Sequence, residues 1–242
     1  MGVDLKEFDT LKSYKSLNEL FTRKLKKDRK FDNSSNIIIS PCDSLITECG
    51  DMFISRTMQI KGFYYKADKL LTSHIEFANI TKIYNGKFIN FYLSPKDYHR
   101  YHVPVDMQVL KVVHVPGLLY PVNLKYLNKV FDLFIKNERV ILECQTSDKK
   151  LFYMVFIGAL NVGKMKFNFD ERIQTNAKKD SVTTYQYADM RLKKGEELGR
   201  FEMGSTIVMF FEKNMVELLC KRMQKVNFGD SIAKIGDKIS KY

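Results

Sequence analysis

Two histidines three residues apart, His99 and His102, follow a Ser-Pro turn in Phe91-Tyr92-Leu93-Ser94-Pro95-Lys96-Asp97-Tyr98-His99-Arg100-Tyr101-His102-Val103-Pro104. Imidazole is suited to proton transfer near neutral pH. No cysteine or third histidine stands nearby at ligand spacing, so acid–base work is favoured and no metal is expected. On a helix this spacing would put both rings on one face; after Pro95 an irregular turn serves equally. Towards the C-terminus, Gly204-Ser205-Thr206 precedes the apolar run Ile207 to Phe211. Gly204 offers an unhindered carbonyl beside a hydroxyl, so the Ser205 Oγ can attack its own preceding peptide bond once a base takes its proton. The frame Met203-Gly204-Ser205-Thr206-Ile207 is not the Gly-x-Ser-x-Gly elbow of hydrolases, and alone it reads as a turn. Asp43, in Ser40-Pro41-Cys42-Asp43-Ser44, also reads alone as a turn residue. Beside a histidine and a serine it could orient the imidazole and stabilise its cation.

These residues need a scaffold. Ser16 and Glu19 form a capping-box pair ahead of Leu17, Leu20, Phe21 and Leu25 on one helical face, and Leu5, Phe8 and Leu11 recur every three residues. One or two amphipathic helices are therefore expected within residues 4–27. The run Arg23 to Lys30 carries six basic residues and one acid. It is either a solvated helix end or a contact with an anionic membrane, where each cation near the surface contributes about 1 kcal/mol. Beyond residue 36 the texture changes to short β-type runs: Ile37–Ile39, Phe88–Leu93, Val109–Val113, Val140–Cys144, Leu151–Ile157 and Ile207–Phe211. Turn signals such as Asn85-Gly86, Pro116-Gly117, Ser147-Asp148 and Lys194-Gly195 separate them. Further helices are expected near Ala67–Leu71 and Pro121–Leu127. The fold class is α+β, a mostly β core of short, largely antiparallel strands with an N-terminal amphipathic helical arm. Residues 1–36 are assigned to a membrane-associating arm and 37–242 to a catalytic domain.

Composition narrows the partners. The 242 residues carry a formal charge of +12 and are 45% hydrophobic, which excludes a disordered chain. A mean hydropathy of -0.28 and the lack of an apolar run of 18 residues argue against a spanning helix. Met1 leads into a charged stretch rather than a secretory signal, and Lys6 occupies the Ser/Thr position of a myristoylation motif. Cys42, Cys49, Cys144 and Cys220 show neither zinc spacing nor the density of a disulfide scaffold, which fits a reducing compartment. The positive excess implies an anionic partner, a nucleic acid or an acidic membrane surface. Without an RNP, zinc or helix-turn-helix pattern, nucleic acid is disfavoured.

Taken in order, these segments resemble the phosphatidylserine decarboxylase proenzymes along most of the chain. Ser16 to Arg23 is similar to the family's N-terminal Phe-Phe-x-Arg-type signature, with Leu20 at the first aromatic position. Ser40-Pro41-Cys42-Asp43 resembles its Ser-Pro-x-Asp segment, with Ser44 in place of the usual glycine. Lys61-Gly62 and Leu70-Leu71 resemble the next block. Tyr92 to Pro104 is similar to the Leu-Ser-Pro-x-Asp-Tyr-His-Arg-x-His-x-Pro block, the most specific match. Pro116 to Asn123, Asn137 to Val140 and Gly158 to Gly163 follow. Lys194 to Phe201 then leads to Gly204-Ser205-Thr206, with Met203 for the common leucine.

The resemblance implies a self-processing triad of Asp43, His102 and Ser205. Attack on Gly204 converts the amide to an ester, and elimination leaves a dehydroalanine that hydrolyses to a pyruvoyl group. The expected products are a β chain, 1–204, and an α chain, 205–242, which stay associated. The pyruvoyl cofactor derived from Ser205 then forms a Schiff base with the amine of phosphatidylserine, giving phosphatidylethanolamine and CO₂. His99 is assigned to positioning the carboxylate or reprotonating the carbanion. The lipid substrate implies a peripheral protein on an anionic membrane surface facing a reducing compartment (the cytoplasmic membrane in a bacterium), with a homodimer common in the family. Two alternatives share the resemblance: a pyruvoyl decarboxylase of a soluble amino acid, and an inactive lipid-binding homologue.

Overall fold

The computed structural model describes residues 2–52, 58–60, 63–122, 129–159, 164–176, 181–202 and 206–236. The helix expected near Pro121–Leu127 and the scissile Gly204-Ser205 pair lie outside the described residues.

Strands dominate. In chain order they are β1 (Ile37–Ile39), β2 (Ser44–Asp51), β3 (Met58–Ile60), β4 (Phe63–Tyr65), β5 (Lys87–Tyr92) and β6 (Arg100–His102). Next come β7 (Met107–Val115), β8 (Arg139–Thr146), β9 (Leu151–Ile157), β10 (Met165–Phe167) and β11 (Thr183–Leu192). The last are β12 (Glu197–Phe201), β13 (Thr206–Phe211), β14 (Val216–Leu218), β15 (Lys225–Val226) and β16 (Ser231–Ile235). Short helices α1 (Leu17–Phe21), α2 (Ala67–Leu71), α3 (Phe77–Lys82) and α4 (Leu133–Lys136) punctuate them.

The main sheet has the order β11-β7-β8-β9-β13-β5-β2-β15, and every pairing in it is antiparallel. Its centre is covered on both faces, because all residues of β9 and β13 are buried. That is why both read in the sequence as unbroken apolar runs rather than alternating ones. At the edge, β11 alternates between exposed and half-buried positions. Tyr65 stacks on Phe134 of α4, with centroids 5.1 Å apart. The buried Arg139 guanidinium donates to the Leu70 and Ile135 carbonyls (2.8 and 2.7 Å), satisfying carbonyls near the ends of α2 and α4.

A second sheet, β10-β12-β6, packs on the first through aromatic rings: Phe156 of β9 lies 4.6 Å from Tyr101 of β6 and 5.1 Å from Phe167 of β10. Gly199 permits the close approach of β12 to β10 and to the Tyr101 ring, since a Cβ there would fall 1.9 Å from the Lys166 carbonyl oxygen and 2.8 Å from Tyr101. The third sheet, β1-β16-β14, leads directly into Ser40-Pro41-Cys42-Asp43.

The N-terminal segment differs from the expected helices. Only the five residues of α1 and a 3-10 turn at Leu11–Ser13 are helical. The capping box is present, with Ser16 Oγ accepting from the Glu19 N–H at 3.1 Å. The helix stops because Arg100 donates to the carbonyls of Thr22 and Arg23, drawing the chain onto β6. Phe8, Phe21 and Arg23 are buried against the core, while Leu11 and Leu17 remain 62% and 51% exposed. The apolar face therefore divides between core and solvent.

Candidate active site

His99 immediately precedes β6 and His102 is its last residue, and both rings are buried. The His102 Nδ1 lies 3.0 Å from the Gly195 carbonyl oxygen. A carbonyl only accepts, so Nδ1 carries the proton and Nε2 the lone pair. That lone pair accepts from the Tyr98 hydroxyl at 3.1 Å. The Phe228 ring covers the imidazole, centroids 3.6 Å apart and planes 11° apart. Gly195 reaches this position in the left-handed region, at φ 85°, in the Lys194-Gly195 turn that the sequence marks. Burial drives the His102 pKa down to about 4, against the smaller opposing effects of the Gly195 carbonyl and the charges of Glu197 and Asp43. The ring is thus neutral at pH 7, with a usable lone pair.

His99 is held by the same logic. Its Nδ1–H donates to the Asp97 carbonyl at 2.8 Å, and Phe21 of α1 packs over the ring at 3.8 Å. The Nε2 is buried and has no hydrogen-bond partner among the described residues. Burial lowers its pKa to about 3. Leaving a buried acceptor unpaired costs about 1–3 kcal/mol, so a bare nitrogen here suits a site that receives another group.

Asp43 enters from the turn after β1, but it does not touch His102. Its carboxylate accepts from both terminal nitrogens of Arg29, the Nη2 contact being 3.0 Å, and from the Phe228 N–H at 2.7 Å. Arg29 in turn pairs with Glu7 through Nε (3.0 Å) and Nη2 (2.7 Å). These bonds outweigh the desolvation of Arg29 and raise its pKa, while they lower that of Glu7. The connection from carboxylate to imidazole therefore runs Asp43–Phe228–His102. Arg29, Tyr98, His102 and Phe228 also line a cavity of about 480 Å³, closed on one side by Leu25 and Phe31 of the N-terminal segment.

Gly204 and Ser205 are bracketed by fixed points. The Phe201 N–H donates to the His99 carbonyl at 3.0 Å. On the other side, Thr206 opens β13 between Tyr92 and Ile157. The structure thus ties His99 to the strand that leads into the scissile segment and pairs His102 with Glu197 of the same strand, while Asp43 reaches the His102 neighbourhood through Phe228.

Some of these residues escape sequence reasoning. Tyr98 stands inside the quoted histidine block, where its hydroxyl could have been read as a partner for an imidazole. Arg29 is hidden in a run of cations of which the four lysines face solvent. Nothing marks Phe228, which sits in an ordinary β-turn neighbourhood and meets His102 only through tertiary packing.

The phosphatidylserine decarboxylase family model matches residues 17–234. The chain is 48% identical to a phosphatidylserine decarboxylase proenzyme of Helicobacter pylori over 234 residues, covering 96% of this chain and 85% of that protein. It is 46% identical to the proenzyme of Campylobacter jejuni over 237 residues, covering 96% and 86% of the two. The figure for Nitrosospira multiformis is 36% over 244 residues, with 98% and 83% covered. The family model spans more than half of the chain and the relatives are well above 30% identical over most of both lengths, and the chain belongs to the phosphatidylserine decarboxylase family.

Proposed function

We propose that the chain is a phosphatidylserine decarboxylase made as a proenzyme, which cuts itself between Gly204 and Ser205 and then converts phosphatidylserine to phosphatidylethanolamine and CO₂. The observation that supports this reading is a pair of buried, neutral imidazoles on the segment that pairs with β12, the strand that runs towards Gly204-Ser205. In the first stage the His102 Nε2 takes the Ser205 hydroxyl proton, displacing the Tyr98 hydroxyl that otherwise occupies it. The Gly195 carbonyl keeps Nδ1 protonated throughout, so only Nε2 changes state. Asp43 favours the resulting cation through its charge and holds the Phe228 platform in place. Attack on Gly204 turns the amide into an ester, and elimination frees Gly204 as the C-terminus of the β chain.

Ser205 is thereby the source of a pyruvoyl group at the head of the α chain, and the His99 Nε2, without a partner among the described residues, fits a site that receives such a group. The group supplies a carbonyl electron sink for loss of CO₂ from an amine-bearing substrate. His99 is assigned to positioning the substrate carboxylate or returning a proton to the carbon that lost it.

No helix among the described residues is long and apolar enough to cross a membrane. We assign the protein to the periphery of an anionic leaflet facing a reducing compartment. Of the six cations in Arg23 to Lys30, Arg23 and Arg29 bind within the fold, whereas Lys24, Lys26, Lys27 and Lys30 are exposed. With the exposed Leu11 and Leu17, these lysines give the N-terminal face both charge and apolar reach. Pairing of two copies belongs to the same reading and is measured by sedimentation.

Denaturing electrophoresis with intact mass tests the whole scheme. A fragment of residues 205–242 with an N-terminal pyruvoyl mass, and CO₂ release from phosphatidylserine vesicles but not from free serine, is the expected result. A single uncut chain after incubation with acidic phospholipid overturns it.

A further inference from the structure

Cys49 and Cys220 stand on opposite sides of the proposed cut, yet the fold brings them together. Beyond β14 the chain returns alongside β2. The Met223 N–H donates to the Ile46 carbonyl at 2.7 Å, and the Ile46 N–H donates to the Gln224 carbonyl at 2.8 Å. Arg222 Nε meets Glu48 Oε2 at 3.2 Å. The next pair along is sulfur: Cys49 Sγ lies 3.9 Å from the Cys220 carbonyl oxygen, so the two cysteines face one another across this seam. That contact favours the thiolate of Cys49 and keeps Cys220 protonated as the donor. Both residues are half-buried, whereas Cys42 and Cys144 are fully buried and their thiols are pushed well above the ordinary value. Neither Cys49 nor Cys220 has a part in self-cleavage or decarboxylation.

We propose that Cys49 and Cys220 are a dithiol pair whose oxidation by a low-molecular-weight disulfide, such as oxidised glutathione, ties the two chains of the mature enzyme together. The Cys49 thiolate attacks one sulfur of the reagent, forming a mixed disulfide and expelling one thiolate. Cys220 loses its proton to solvent and attacks the Cys49 sulfur, forming the Cys49–Cys220 bond and expelling the second. Two electrons pass to the reagent, and the two protons given up by the protein thiols balance the two reduced thiols released. The linkage between chains rests on the cut at Gly204-Ser205, which puts Cys49 on the longer product and Cys220 on the shorter.

The test treats the full mature protein with oxidised glutathione, blocks free thiols, and compares denaturing gels with and without reductant alongside peptide mass mapping. Expected are one species of the combined mass without reductant, two chains with it, and a Cys49–Cys220 peptide pair lighter by two hydrogens than the sum. Cys49→Ser and Cys220→Ser should each abolish the combined species, whereas Cys42→Ser and Cys144→Ser should leave it. Chains that separate without reductant, with glutathione remaining on Cys49, overturn the proposal. A protein that stays whole even when reduced refutes the cut instead, and the cross-linked peptide then reports on the sulfur pair independently.

Discussion

The Phe228 ring lies almost parallel to the His102 imidazole at 3.6 Å, and the backbone N–H of the same residue is held by Asp43 at 2.7 Å. Carboxylate and imidazole are therefore coupled through a third residue rather than by a direct hydrogen bond. Phe228→Leu keeps the backbone contact but removes the flat cover, and should slow appearance of the 205–242 fragment about tenfold, or about 1.4 kcal/mol in the barrier. Asp43→Ala removes the Phe228 anchor, the Arg29 partner and the stabilising charge together, and should slow it at least about a hundredfold. A time course of cleavage by intact mass reads both. Equal rates for Phe228→Leu and the parent protein would remove the platform from the mechanism.

The two histidines should separate by stage. His102→Ala is expected to leave the chain whole, because the imidazole assigned to take the Ser205 proton is gone. His99→Ala should still give two chains, with decarboxylation reduced about 10²–10⁴-fold, the usual contribution of a positioned acid–base group. Gel analysis and CO₂ release on the same preparation distinguish them. An uncut His99→Ala protein would assign that ring to processing as well.

Acid should act on both rate and stability. The His102 pKa of about 4 keeps Nε2 free down to weakly acidic pH, so cleavage should be nearly flat from pH 5 to 8 and fall below about pH 4 to 5. In the unfolded chain the imidazoles take up protons near 6.5, whereas folded His102 and His99 refuse them until about 4 and about 3. The unfolded state thus binds more protons between those values. The contribution of the neutral rings is complete above 6.5 and is lost as pH falls through this window, on the order of 3 kcal/mol for His102 alone. Denaturant titrations of the parent protein and of His102→Gln at several pH values check this, the variant losing less stability on acidification.

The exposed lysines carry the membrane prediction. Replacing Lys24, Lys26, Lys27 and Lys30 together with serine should weaken binding to anionic vesicles by up to about 1 kcal/mol per residue, with a shallower dependence on salt. Cleavage should proceed normally, since Arg23 and Arg29 keep their internal partners. Sedimentation with vesicles measures the first and electrophoresis the second. Unchanged affinity would move the contact elsewhere on the surface.

The strands that could be read from the sequence share a physical trait. Ile37–Ile39, Leu151–Ile157 and Ile207–Phe211 are buried at nearly every position, so hydrophobicity alone marks them. By contrast, β11 is ten residues long and lies at an edge with a wet face, and its mixed composition hides it. The N-terminal helices were overestimated because periodicity does not register Arg100, whose guanidinium takes the carbonyls that would have continued α1. At the site, His99, His102 and Asp43 stand in local motifs and are visible as such. Arg29 and Phe228 have no local signature, since their meaning comes from contacts 14 and 185 residues away along the chain, both with Asp43.

The β13 strand opens at Thr206, immediately after the proposed break, and is hydrogen-bonded on both sides by strands of the longer product. The short product also supplies β15 to the edge of the main sheet and β16 to β1. Under this reading the main sheet is shared between the two products. A sheet shared in this way should form before the cut, so mature enzyme that has been denatured should recover less activity on dilution than uncut chain treated alike, its persistence then resting on slow unfolding.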